Sequence, residues 1–197
     1  LDRDVFPVGS DGTSDVEDIR LPEQQVVMEP VLPVRQWRVI NDFACGPECW
    51  GIADYRTVLD QLAKLKFNRI YVSIYAWQPF LDLRHAGIER KKAWLWYDFH
   101  YPVTDDMPGR SLFDNRPEFW NPDLPLGAGY REFADAGRQH VHAILNHAKS
   151  RGFEIAMAAN VAEFPREFAP LLQDHRAIYS SLGNLTITPG PKQPMDD

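Results

Sequence analysis

VRQWRVIND (34–42), ADYRTVLDQLAKLK (53–66) and NRIYVSIYAWQPF (68–80) read in succession as strand, helix and strand. In the middle segment Tyr55, Val58, Leu59, Leu62 and Leu65 recur at the helical period. Asp54 stands where a cap is wanted, and Lys64 and Lys66 fall in the last turn, where they complement the helix dipole. The following strand sets Ile70, Val72, Ile74 and Ala76 against Tyr71, Ser73, Tyr75 and Trp77. Both sets are largely apolar or aromatic, the pattern of a strand covered on two faces. In parallel α/β sheets the carboxyl ends of the strands hold ligands. Asn41 and Asp42 close the first strand here, and Tyr75, Trp77 and Gln78 the second. Flat aromatics beside amides and carboxylates suit a polyhydroxylated ligand such as a sugar.

Working outward, residues 1–33 are acidic, poor in aromatics and punctuated by Pro7, Gly9, Gly12, Pro22, Pro30 and Pro33, which reads as a linker or the tail of a preceding domain. After the second strand comes a long insertion, about 81–129. Its prolines argue against regular structure, but Trp94, Trp96, Tyr97, Phe99, Tyr101, Phe113, Phe119 and Trp120 argue against disorder. It is expected to be a folded lid over the strand ends. A second helix is predicted over about 130–151, with Phe133, Val141, Ile144, Leu145 and Ala148 on one side and Gly152 as its C-cap. FEIAMAA (153–159) then forms a third buried strand ending near Asn160 and Glu163. Such alternation predicts a parallel sheet. With an insertion after strand two, it leads to the expectation of an α/β chain folded as a partial (β/α)8 TIM barrel, its first three β/α units. On that reading 34–197 is the amino-terminal portion of a barrel that continues past Asp197.

WRVINDF (37–43), 55–80 and GFEIAMAANVAEFPREF (152–168) resemble the opening of the barrel in glycoside hydrolases of the β-hexosaminidase-like and α-glucuronidase-like families. Lys66-Phe67-Asn68 matches their turn into strand two, and Ile40-Asn41-Asp42 and Tyr75-Ala76-Trp77 match their strand ends. The sequence departs from the hexosaminidase pattern after Pro165, where Arg166 replaces a histidine. The resemblance implies hydrolysis of glycosidic bonds by the complete barrel, with an oligo- or polysaccharide substrate. It also implies that the acid/base carboxylates lie beyond Asp197, so no catalytic residue is assigned within the chain.

Substrate binding falls to Arg38, Asn41, Asp42, Tyr75, Trp77, Gln78, Asn160 and Glu163. Arginine is shaped for carboxylates, and Tyr75 and Trp77 offer flat faces to a pyranose ring. The bland alternatives stand beside these: a loop-capping Asp42, a surface Glu163, and Trp77 packed in a core. Two other functions stay open, a non-catalytic carbohydrate-binding or scaffold module and a metal-dependent barrel hydrolase or isomerase.

A net charge of −7 argues against non-specific binding to nucleic acid or acidic membranes, which needs a basic surface. No apolar run approaches the ~20 residues of a membrane-spanning helix. Cys45 and Cys49 in CGPEC lack metal-ligand spacing, so no metal or cofactor is expected. They are inert thiols or a local disulfide, and the latter favours a secreted or periplasmic location over a cytoplasmic one. The histidines of the second helix, His140, His142 and His147, are expected to lie away from the strand ends as hydrogen-bonded or solvent-facing side chains.

Overall fold

The computed structural model describes residues 29–38, 46–95, 100–108, 110, 116–159, 163–172, 177–179 and 184–187. Its centre is a parallel sheet of three strands, β1 (Gln36–Arg38), β2 (Arg69–Ile74) and β5 (Glu154–Ala159), in the order β1-β2-β5. Register runs Gln36 to Arg69 and Arg69 to Glu154 across the sheet. Helices α1 (Ile52–Lys64) and α2 (Tyr130–Ser150) make the two crossovers. Both pack on one face, where Leu59 and Leu62 of α1 meet Ile144 and Ala148 of α2 over Ile70, with Phe153 closing the floor.

Helix α1 is capped three residues earlier than the Asp54 cap the sequence offers. Gly51 is its N-cap, and Asp54 reaches back to accept the Gly51 N–H at 2.9 Å. The N–H of Ile52 goes to Asp123 at 2.5 Å, so the insertion caps the helix from outside. The turn Lys66-Phe67-Asn68 ties β1 to β2. Asn68 accepts the Arg35 N–H at 2.8 Å and donates to Pro33 at 2.7 Å, while Lys66 takes the left-handed conformation at φ 66°. A second tie joins the helices: Asp60 accepts from Arg151 at 2.7 and 2.9 Å and lies 2.7 Å from His147 Nε2.

The insertion forms a hairpin, β3 (Arg84–His85) with β4 (Ile88–Glu89), and a bridge between Pro102 and Glu118. It has an apolar cluster of its own, Leu95 and Leu124 against Phe133 of α2.

The expected partial (β/α)8 TIM barrel is not what forms. A barrel requires parallel strands to go on pairing with consistent tilt and shear until the ring closes. Among the described residues no parallel strand follows β5; the next strand, β6 (Glu163–Pro165), pairs antiparallel with β8 (Asn184–Ile187). With β7 (Ala177–Tyr179) these make a separate antiparallel sheet in the order β6-β8-β7. Where a third crossover helix is required there is a 3-10 segment, Arg166–Leu172, interrupted by Pro170 and too short to cover a strand. The fold is mixed α/β around a small three-stranded parallel sheet.

Candidate functional site at the carboxyl end of β2

Beyond Ile74 the chain makes a tight turn, three of whose carbonyl groups, those of Ala76, Gln78 and Leu81, converge on one cation. Arg90 is 2% exposed, and its guanidinium donates to the carbonyl oxygens of Ala76, Gln78 (2.9 Å) and Leu81 (2.6 Å) and to the Tyr130 hydroxyl (3.1 Å). Burying a charge is tolerable only when its hydrogen bonds are made, and here the backbone of 76–81 makes them. Trp77 lies 5% exposed on this turn, stacked on Tyr75 with ring centroids 4.5 Å apart. Gln78 is fully buried: its side-chain oxygen accepts the Tyr75 N–H at 3.0 Å, and its amide donates to Glu48 at 3.4 Å.

A hollow of about 340 Å³ opens beside this turn, lined in part by Trp77, Arg90, Lys92, Trp94, Arg166 and Glu167. Trp94 is held next to Trp77 by a backbone bond from its N–H to the Trp77 carbonyl, 3.0 Å. The indole Nε1 of Trp94 is buried and has no hydrogen-bond partner among the described residues. Glu167 joins the 3-10 segment to the insertion by accepting the Lys91 N–H at 2.8 Å. Two chain segments far apart in sequence therefore share the lining of the hollow.

The sequence-predicted residues fare differently. Trp77 lines the hollow, Tyr75 backs it, and Gln78 is committed to bracing the turn beneath. Arg38 stands at the register position of Tyr71, with its guanidinium 4.8 Å over that ring. Glu163 lies on β6, opposite Thr186, in the antiparallel sheet. Asn41, Asp42 and Asn160 lie outside the described residues, as does Cys45. Trp94, Lys92, Arg166 and Glu167 were not singled out as site residues. Trp94 sits in the aromatic run AWLWYDFHY (93–101), and Arg166 at the position where a histidine was looked for. Those signals were present, but nothing in sequence spacing brings 92–94 to 165–167.

A second polar cluster lies deeper, between the helices. Of the two placements expected for it, hydrogen-bonded or solvent-facing, His140 takes the first, and it is 5% exposed. Its Nε2 is 3.2 Å from the Asn121 amide nitrogen and its Nδ1 3.1 Å from Asp123. The amide can only donate, so Nε2 accepts and Nδ1 carries the proton. Burial holds the imidazole below its ordinary range, with Asp123 opposing that shift. Tyr55 packs edge-on to the His140 ring at 5.7 Å, and burial and then the Glu48 charge push its phenol up, so it stays protonated. Both ring nitrogens of His140 are used, which makes this cluster a brace between α1, α2 and the insertion. Among the described residues no group of three or more His, Cys, Asp or Glu is arranged to hold a metal ion, and no helix is long and apolar enough to cross a membrane.

Comparison with known proteins finds no family model, curated protein or solved structure that matches the chain.

Proposed function

We propose that this protein binds carbohydrate in the hollow at the carboxyl end of β2. Trp94 supplies an apolar wall for the C–H face of a sugar ring, with buried Trp77 behind it, and exposed Lys92 supplies a hydrogen-bond donor at the rim. The observation that carries this reading is the Trp94 indole N–H. A buried donor left unmade costs roughly 1–3 kcal/mol, and a ligand hydroxyl or ring oxygen that shifts the indole enough to reach it relieves that cost. A volume of about 340 Å³ lies at the small end of ligand sites.

The reading is of binding rather than cleavage. Glycosidic hydrolysis ordinarily uses two carboxyl groups astride the bond. Among the described residues lining the hollow, Glu167 is the one carboxylate, and one of its oxygens is taken by Lys91.

The test is affinity electrophoresis of the intact chain against a panel of soluble glycans (gluco-, xylo-, manno-, chito- and galacturono-polymers), followed by calorimetry on any that retard it. Retardation by at least one glycan is expected, with Trp94→Ala weakening affinity tenfold or more and Lys92→Ala three- to tenfold. No retardation by any member of the panel, or binding indifferent to both substitutions, refutes the proposal.

A further inference from the structure

Trp94 lines two hollows. Besides the one just described, it borders a second of about 160 Å³, whose walls include His100, Trp120, Pro125, Leu126 and Gly127. We infer that the ligand is a chain of at least two rings, held with one ring in each hollow and the Trp94 indole between them; this rests on the carbohydrate-binding reading above.

The second hollow repeats the chemistry of the first with different residues. Its aromatic wall is rigid: Trp120 Nε1 donates to the Leu124 carbonyl at 2.8 Å, and the ring stacks on Phe133 with centroids 5.9 Å apart. An aromatic fixed in this way loses little freedom when a ring packs on it. Its polar group is His100, whose exposed imidazole lies 2.9 Å from Glu118 and so offers paired hydrogen-bonding atoms at the rim. At Gly127, φ is +74° and nothing stands within 4 Å of where a Cβ would be. The backbone there is bare to close approach, the use to which glycine is put beside ligands.

A single compact ligand has no reason to engage both hollows, because the indole of Trp94 stands in the lining of each. A linear oligosaccharide repeats an apolar face and a set of hydroxyls from unit to unit, and the two hollows repeat an aromatic wall and a polar rim. The match is one of periodicity.

The experiment is calorimetry of the intact chain with oligosaccharides of one to four units drawn from the glycan that retards it. Affinity is expected to rise at least tenfold from one unit to two and to change less than threefold beyond. Leu126→Trp narrows the second hollow at a residue 49% exposed, where bulk is accommodated without unfolding. It is expected to bring the disaccharide back to the monosaccharide affinity. His100→Ala removes the rim group from a side chain that is 65% exposed and is expected to abolish half or more of the gain in log affinity. Equal affinity for one and two units, with Trp94→Ala still weakening both, overturns the two-hollow inference and leaves the binding proposal standing. Failure of every glycan to bind overturns both.

Discussion

The two ends of α2 live in different surroundings. Towards its carboxyl end, Ile144 and Ala148 pack with Leu59, Leu62, Ile70 and Phe153 in an apolar cluster closed by the sheet. Towards its amino end, Phe133 meets Leu95 and Leu124, and the same region holds buried Arg90, Asn121 and His140 and borders both hollows. The first end is held by burial of hydrocarbon, which is non-directional and tolerant of approximate shape. The second is held by hydrogen bonds to specific atoms, which lock a turn and a loop into one geometry. One helix thus serves as scaffold at one end and positions a site at the other.

The sharpest way to break that contrast is Leu59→Ala. The side chain is 1% exposed at the centre of the hydrocarbon cluster, and its truncation is expected to lower global stability by about 3 kcal/mol. Chemical denaturation should show one transition moved as a whole. Arg90→Met removes a comparable amount, roughly 2–3 kcal/mol, but locally, by leaving the carbonyls of 76, 78 and 81 unpaired. Hydrogen exchange should then show protection lost over 75–95 and retained in β2 and β5. Uniform loss would show that the two ends are one cooperative unit.

Gly137→Ala probes the boundary between them. An added Cβ would stand 2.6 Å from the Pro79 carbonyl oxygen, so α2 and the turn must separate, at about 1–3 kcal/mol. A melting curve no lower than that of the parent would mean the turn yields freely.

The polar end should also be the pH-sensitive one. Folding depresses the His140 pKa, so the unfolded chain takes up the proton first as pH falls. The stability it contributes is whole above about pH 6.5 and declines below it until the folded imidazole itself is protonated. His140→Gln should flatten the dependence of Tm on pH between 7.5 and 5, and identical slopes would remove His140 from the account.

The smallest effect belongs to Asp60. Burial pushes its carboxyl up, but hydrogen bonds from Arg151 and His147 outweigh this and hold it below the usual range. The group is a third exposed, so Asp60→Asn is expected to lower stability by less than 1 kcal/mol, shrinking further in high salt.

Much of the scaffold was legible in the residues. The 3.6 period marked α1 and α2, the apolar runs marked β2 and β5, and Asn68 fell where a turn needed an amide. Trp77 was legible as a strand-end aromatic. Arg90 carried no signal of its role, yet it is the pin of the turn. His140 was legible as a hydrogen-bonded or solvent-facing side chain, but its burial where α1 and the insertion meet α2 was not. The reason is common to both: a side chain bonded to atoms nine or more residues away leaves no periodic trace.

Alternating strands and helices, read from local periodicity, determined by themselves that three strands would lie parallel with helices between them. Whether the sheet closed was never in that pattern, because closure depends on strand tilt, on shear and on the pairing of the chain beyond β5. Pro170 and the pairing of β6 with β8 ended the series. Only the tertiary structure brought 92–94 against 165–167 and set Trp94 between two hollows, since contacts of that range arise from packing rather than from the order of residues along a segment.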